Sequence, residues 1–259
     1  MSTELPVVFP GCGRCPHHGT GPAALCLECA RRRMQLPGQD ACPVCSQQTL
    51  GGRCANEMCR SPRRRIGRIR AIGYQSGPLR QAINEYKYRG GWQRAVVFGR
   101  LLLGWLDEVM TGDPPGLIVA NPSFVGPGGQ LFAHTEAVLA AAARAGCAPG
   151  RAADGPRWPF DAQSPAAIVK IAPTLQSADA QAWSKRATAT ELRDALRVPD
   201  PVRTAGLFVL VYDDICTTGS QLDAVAGCLL DRGGAARVEG VVLARAPWRV
   251  CRASNGQGC

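Results

Sequence analysis

The sequence has no long uninterrupted hydrophobic run. Its most apolar stretch, residues 95–110, contains Arg100, Asp107 and Glu108, whereas a membrane-spanning helix needs about 20 consecutive, mostly apolar residues. Residues 1–11 also lack the basic start and apolar core of a secretory signal peptide. We therefore expect no membrane insertion and a cytoplasmic location.

Acidic residues are scarce in the first hundred positions. Residues 1–100 hold 16 Lys or Arg against 5 Asp or Glu, a net charge of +11, while residues 101–259 hold 14 against 15, a net charge of −1. Basic clusters of this kind can follow single-stranded nucleic acid, but aromatic stacking partners are few beside them. A solubilising linker is the alternative for the arginines concerned, which are Arg31, Arg32, Arg33, Arg63, Arg64, Arg65, Arg68 and Arg70.

Histidine is rare, with 3 residues, whereas cysteine is abundant, with 13. A chain without a secretion signal is expected in a reducing compartment, which favours metal binding over disulfides. Two thiolates separated by two residues fit adjacent corners of a tetrahedral zinc site, and a second pair completes it. The predicted zinc ligands are Cys12-x₂-Cys15, Cys26-x₂-Cys29, Cys42-x₂-Cys45 and Cys54-x₄-Cys59. Which pairs combine is left open.

From residue 66 onward, strand-like and helix-like segments alternate. This order predicts a mostly parallel sheet with helices on both faces. A half-exposed strand is expected at 66–74, a doubly buried strand at 117–120, and further strands at 167–171, 206–212 and 238–244. Helices are expected from residue 79, at 92–110, at 133–144, at 184–196 and at 221–232.

The strand predicted at 206–212 runs directly into Asp213 and Asp214, and then into Thr217–Ser220 at the start of a helix. In an open parallel sheet, ligands bind beyond the carboxyl ends of the strands. Backbone amides at a helix N-terminus can hold a phosphate dianion, with Thr and Ser hydroxyls as further donors. Carboxylates one sugar ring away can accept hydrogen bonds from ribose hydroxyls. The motif therefore predicts a site for a ribose phosphate, and a solvated turn is the alternative.

Residues 211–220 closely resemble the phosphoribosyl pyrophosphate loop of type I phosphoribosyltransferases. Together with the cysteine pairs, Tyr86–Gly90 and Val119–Pro122, they make the chain similar to the ComF/GntX-like family. The resemblance implies an α/β type I phosphoribosyltransferase fold over residues 63–252, behind a zinc-ribbon or zinc-finger module at 1–62 and before a tail at 253–259.

The same resemblance implies roles for individual residues. Asp213 and Asp214 would bind the ribose hydroxyls and act in catalysis. The 5′-phosphate would be held by Thr217, Thr218, Gly219, Ser220 and Gln221, and Gln221 stands where the family usually has Thr. The implied activity is pentosyl transfer, in which a nucleophilic acceptor displaces pyrophosphate from C1 of the sugar with the help of Mg²⁺.

The loop at 123–131 contains no Lys or Arg, whereas the family has a basic segment facing pyrophosphate there. An alternative function is therefore a non-catalytic accessory protein that binds phosphoribosyl pyrophosphate or single-stranded DNA and works with competence or DNA-processing proteins. Lys170, Lys185 and Arg186 are candidates to replace the missing charge, or else ordinary surface residues. His134 is expected to be a hydrogen-bonded helix residue rather than a proton carrier.

Cys216 lies inside the motif. A helix N-terminus would lower the pKa of its thiol, which gives the hypothesis that oxidation of Cys216 blocks ligand binding.

Overall fold

A computed structural model of the protein describes residues 30–32, 34–49, 51–127, 130, 132–147, 158–174 and 185–247. In chain order, the elements are α1 (Glu57–Arg60), β1 (Ile69–Tyr74), α2 (Gly77–Tyr88), α3 (Arg94–Val109), β2 (Leu117–Ala120), α4 (His134–Gly146), β3 (Val169–Lys170), α5 (Lys185–Asp194), β4 (Leu196–Arg197), β5 (Phe208–Cys216), α6 (Ser220–Asp231) and β6 (Arg237–Arg245).

Four of the strands form one sheet in the order β1-β6-β5-β2, and every neighbouring pair is parallel. β5 and β6 are almost entirely buried, as expected for strands with helices on both faces. The predicted α/β architecture with a parallel sheet flanked by helices is confirmed. β3 and β4 form a separate antiparallel ribbon.

Two apolar clusters lie on opposite faces of this sheet. The first packs α2, α3 and α4 against the sheet and includes Tyr86, Phe98 and Tyr212. The second packs two parts of the chain against the sheet: α6, and residues 42–59, which we call the cysteine segment. It includes Ile69, Val211 and Leu222. Alternate residues of β5 contribute to alternate clusters, because successive side chains of a strand point to opposite faces.

The predicted strand at 206–212 is longer in the structure. β5 continues to Cys216, because its pairing with β6 persists to the partners Ile215–Ala244 and Cys216–Arg245. Asp213 and Asp214 therefore lie within the strand, near its carboxyl end, rather than in the loop after it. The turn between strand and helix is only three residues long.

Two other strand predictions need correction. β1 begins at Ile69 and is mostly buried rather than half-exposed, because residues 44–46 pack against it: the Ile69 N–H donates to the Val44 carbonyl at 2.6 Å. The strand predicted at 167–171 contains only two residues in β3 and lies outside the main sheet. Among the described residues, no helix is long and apolar enough to span a membrane.

Candidate functional site

The acid pair lies near the carboxyl end of β5, and both carboxyl groups are largely buried. Asp213 is 7% exposed and Asp214 is 5% exposed. β5 is flanked by β6 and β2, so the pair occupies the middle of the sheet rather than its rim. This is the position at which open parallel sheets bind their ligands.

Lys87, near the end of α2, pairs with the second acid. Its Nζ atom lies 2.9 Å from Oδ2 and 3.1 Å from Oδ1 of Asp214. Burial lowers the pKa of Lys87, but the Asp214 carboxylate outweighs it and leaves this pKa above its usual value. The site thus contains one firmly protonated cation for two acids.

The first acid, Asp213, differs from Lys87 because its pKa lies close to neutral pH. Burial, and then the negative charge of Asp214, raise the pKa of Asp213 to about 7, although Lys87 and a side-chain hydrogen bond with Asn121 oppose this shift. One carboxylate oxygen of Asp213 accepts from the Asp214 backbone N–H at 2.9 Å. Asp213 is therefore poised to exchange a proton near neutral pH.

Three buried polar atoms around the acids have no hydrogen-bond partner within the part of the chain that the structure describes: Asn121 Oδ1, Tyr212 Oη and His134 Nε2. Their residues are 4%, 0% and 5% exposed, respectively. Leaving a buried polar atom without a partner costs about 1–3 kcal/mol. Unsatisfied atoms concentrated at one place indicate that the site is built to contact a polar ligand or ordered water.

His134 is the first residue of α4. Its Nδ1 lies 2.7 Å from Gln130 Oε1, and the Tyr86 hydroxyl donates to its backbone carbonyl at 2.7 Å. Burial, followed by the charge of Lys87, lowers its pKa. The hydrogen-bonded helix position expected for His134 is present, although its second ring nitrogen is unsatisfied.

The predicted phosphate loop, Thr217–Ser220, forms the turn into α6. Gly219 is the N-cap residue and has φ +85°, a conformation that favours glycine. Thr217 and Ser220 are exposed, and the Thr218 and Ser220 hydroxyl oxygens lie 3.0 Å apart. The loop therefore presents hydroxyls to solvent beside the N-terminus of a helix, whose first amide, that of Ser220, donates to the Thr218 hydroxyl at 3.3 Å.

The half-buried Gln221 lies in the first turn of α6. The structure thus brings all the predicted residues from Asp213 to Gln221 to one corner of the sheet.

The loop after β2, which also reaches this corner, is held by an acid: Glu136 accepts from the Ser123 backbone N–H at 2.8 Å and from the Ser123 hydroxyl at 3.1 Å. The Glu136 carboxylate thus contacts the loop in which the family resemblance implies a basic segment.

Four of the eight predicted zinc ligands converge. Each of Cys42, Cys45, Cys54 and Cys59 offers a sulfur, and these atoms all lie within 4.8 Å of one another. The Cys45 and Cys54 sulfurs are 3.7 Å apart, and those of Cys42 and Cys59 are 3.9 Å apart. The third and fourth pairs therefore combine with each other. The first two pairs, Cys12–Cys15 and Cys26–Cys29, lie outside the described residues.

The chemistry of this cluster fits a metal ion. Burial raises the pKa of Cys54 to about 11 and also raises that of Cys59. Burial acts in the same direction on Cys45, but Arg245 and nearby hydrogen bonds outweigh it and lower the pKa of this thiol. A coordinated metal deprotonates thiols outright. Four sulfur ligands in a closed, partly buried arrangement are consistent with structural zinc.

Cys216 does not have the reactive character predicted for it. It is 2% exposed, and burial raises the pKa of its thiol to about 12, although the nearby Arg245 opposes this shift. The pKa is raised rather than lowered because the sulfur lies beneath the loop. The premise of the oxidation hypothesis is therefore wrong.

Most of the clustered arginines make contacts within the fold. Such contacts reduce the positive surface left for nucleic acid. Arg31 pairs with Glu108, Arg64 donates to the carbonyls of Cys59 and Ile66, Arg65 pairs with Asp231, and Arg68 and Arg70 pair with Glu239. Lys170 donates to Thr174 at 2.6 Å, and the side chains of Lys185 and Arg186 lie outside the described residues.

Sequence reasoning missed four residues that shape the site. Lys87 and Asn121 lie in segments that support the family resemblance, but neither was assigned a contact with the acids. Asn56 and Arg245 contact the phosphate loop from distant positions, and no local pattern marks them.

Compared with known proteins, the chain matches no family model and no curated protein.

Proposed function

We propose that the chain is a phosphoribosyltransferase of the type I fold, which binds phosphoribosyl pyrophosphate with Mg²⁺ and transfers phosphoribose to an acceptor. The observation that carries this proposal is the pair Asp213–Asp214 near the carboxyl end of a central parallel strand, which is followed after a three-residue turn by a helix N-terminus flanked by hydroxyls. Acids suit the sugar hydroxyls, and the loop suits the phosphate.

The electrostatics of the site agree with a sugar ligand. A lone acid pair would repel a phosphorylated substrate, but Lys87 neutralises Asp214, and Asp213 carries a proton for part of the time at neutral pH. The unsatisfied atoms of Asn121, Tyr212 and His134 offer an acceptor, a hydroxyl and a ring nitrogen to ligand hydroxyls. When bound, Mg²⁺ would offset the charge of the pyrophosphate group.

A second candidate function is binding of phosphoribosyl pyrophosphate without turnover. It is favoured by the loop after β2, which has no basic residue at 123–131 and contacts Glu136. A departing pyrophosphate would meet few cations there. A role in binding single-stranded nucleic acid has less support, because most of the arginines proposed for it make contacts within the fold.

The direct test is calorimetric titration of phosphoribosyl pyrophosphate with Mg²⁺. The wild type is expected to bind, and Asp213→Asn/Asp214→Asn is expected to lose affinity by at least about a hundredfold, as the loss of two charged hydrogen bonds of about 1.5–3 kcal/mol each implies. Asp194→Asn, on an exposed position of α5, is the matched control. Absence of binding to the wild type would defeat both candidate functions.

Turnover is tested separately by pyrophosphate release. With a panel of purine, pyrimidine and amine acceptors, an enzyme would release pyrophosphate in proportion to acceptor concentration. Binding without any release across the panel would favour the second candidate function.

A further inference from the structure

The four-cysteine cluster and the phosphate loop are in direct contact. α1 contains Cys59, and its Met58 side chain packs against the loop: a Cβ added at Gly219 would lie 2.9 Å from Met58 Cε and 2.8 Å from Ile69 Cδ1. Because Gly219 has no side chain, the phosphate loop can pack closely against the cysteine segment. Two polar side chains connect the same two parts.

Asn56 is the first connection. It is 2% exposed and lies between the last two cysteines of the cluster. Its Oδ1 accepts from the Met58 backbone N–H at 3.1 Å and so caps α1, while its Nδ2 donates to the Thr218 carbonyl at 2.8 Å. The Asn56 side chain thus bonds to the cysteine segment with one atom and fixes the orientation of the Thr218 peptide group in the phosphate loop with the other.

Arg245 is the second connection. It ends β6 and is fully buried. Its Nη1 donates to the Cys216 carbonyl at 2.8 Å and also contacts the Thr217 carbonyl, while its Nη2 lies 3.7 Å from Cys45 Sγ. The guanidinium therefore joins a cluster sulfur to two successive carbonyls of the loop.

The charge of Arg245 needs a partner. Within the described ranges, no carboxylate pairs with this guanidinium, and its contacts are carbonyls and the sulfurs of Cys45 and Cys216. A buried charge is costly unless it is paired. A metal ion held by four thiolates carries a net charge of about −2, which supplies the missing negative charge beside Cys45.

These contacts fix which way the loop peptides face. Three successive carbonyls, those of Cys216, Thr217 and Thr218, are turned inward toward Arg245 and Asn56. Carbonyls held on the inner side leave the opposite side of the turn to N–H groups and hydroxyls, which is the arrangement that holds anions.

We propose that Asn56 and Arg245 are positioning residues that couple metal occupancy of the four-cysteine site to the shape, and hence the anion affinity, of the phosphate loop. The Cys216 carbonyl stays bonded to the Ala246 backbone N–H at 2.9 Å, but metal loss releases the cysteine segment and the carbonyls of Thr217 and Thr218, so that the loop amides no longer face one way. The effect on ligand affinity rests on the proposed function, whereas the effect on loop conformation does not.

The first experiment therefore measures the loop itself. Amide hydrogen exchange of residues 216–221 is compared in the zinc-loaded protein, in the chelated protein and in zinc-loaded Asn56→Ser. The serine keeps an N-cap acceptor but is too short to reach Thr218. We expect faster exchange in both altered forms, with the zinc content of Asn56→Ser unchanged. Wild-type exchange in zinc-loaded Asn56→Ser would overturn the proposal.

The second experiment measures affinity for ribose 5-phosphate. Zinc-loaded Asn56→Ser is expected to bind it about fivefold more weakly, the size of one hydrogen bond, and Arg245→Lys more weakly still, because an ammonium cannot span both carbonyls and the sulfur. Thr49→Ser, at a half-buried position of the same segment, is the matched control and should bind as the wild type does. Equal affinity in all four proteins would overturn the proposal.

Coupling must also act in reverse. Ribose 5-phosphate should lower the zinc dissociation constant, measured by equilibrium competition with a chelator, by the factor by which zinc tightens ribose 5-phosphate binding, which is expected to lie between about fivefold and about a hundredfold. Bound ribose 5-phosphate with an unchanged zinc dissociation constant would contradict the proposal. If zinc-loaded wild type does not bind ribose 5-phosphate, the proposed function fails, and the hydrogen-exchange comparison still decides the coupling.

Discussion

The Lys87 ammonium lies between the two carboxylate oxygens of Asp214, at 2.9 Å and 3.1 Å. Both side chains are largely buried, with 17% and 7% exposure. A buried pair is stabilising only relative to either charge alone. Lys87 thus holds the Asp214 carboxylate in place, and the following expectations concern the acid pair, its neighbours and the metal cluster.

Removing Lys87 should leave an uncompensated negative charge beneath α2. We expect Lys87→Met to lower the free energy of unfolding by about 3 kcal/mol at pH 8, as is typical of broken buried pairs, and by less at pH 5, where protonation of Asp213 leaves less negative charge beside the missing ammonium. Urea unfolding measures the change. Arg80→Met, exposed on the same helix, is the control, and equal stability of the two variants would contradict a buried pair.

Stability should also depend on the ionisation of Asp213. Its pKa rises from 3.8 to about 7 on folding, through burial and the charge of Asp214. Between these values, the folded protein retains a proton that the unfolded chain has released, so the contribution of Asp213 to stability falls as the pH rises through this window. Asp213→Asn removes this dependence.

We therefore expect the difference in unfolding free energy between Asp213→Asn and the wild type to grow in favour of the variant from pH 5 to pH 7.5. Denaturant titrations across this range provide the measurement, with Asp194→Asn as the control. A difference that does not change with pH would mean that Asp213 is not protonated in the folded protein.

Gly219 combines a left-handed backbone with close contacts. Gly219→Ala should lower the free energy of unfolding by about 3 kcal/mol, from backbone strain and from overlap with Ile69 and Met58. Gly206 has φ +72° but open space around it, so Gly206→Ala should cost only about 1 kcal/mol. Chemical denaturation of the two variants separates packing from strain, and equal losses would show that the contacts of Gly219 are unimportant.

Loss of one cysteine from the cluster should remove a metal ion. Cys45→Ser is expected to contain one fewer zinc per chain, measured by elemental analysis, and to melt at a lower temperature, because structural zinc contributes about 10 kcal/mol to folding. Cys147 is exposed and distant in sequence, so Cys147→Ser should keep its zinc. Unchanged zinc in Cys45→Ser would exclude the cluster as a metal site.

The parts of the fold set by local pattern were predictable. The doubly buried strand at 117–120, the helices α3 and α6, and the position of Asp213 and Asp214 next to a helix N-terminus all follow from apolar periodicity and turn residues. The extension of β5 to Cys216 was not predictable, because it depends on pairing with β6. Propensity near the acids favours a loop, and sheet pairing overrides it.

The contacts that shape the site were harder to predict because they join distant residues. Lys87 and Asp214 are 127 residues apart, and Asn56 and Thr218 are 162 apart. Spacing predicted the cysteines as candidate metal ligands but could not say which pairs combine, since several pairings satisfy the same tetrahedral geometry. Arg245 has no local signature, because it is an ordinary basic residue at the end of a strand.

Residues 44–46, which accompany the cysteine cluster, cover the outer edge of β1: the Val44 carbonyl accepts from the Ile69 N–H, and the Ser46 hydroxyl bonds the Ile69 carbonyl and the Ala71 N–H. An uncovered edge strand is a template for pairing with another chain. Release of the metal would expose this row of backbone groups, so the demetallated protein should self-associate through β1 as well as lose stability.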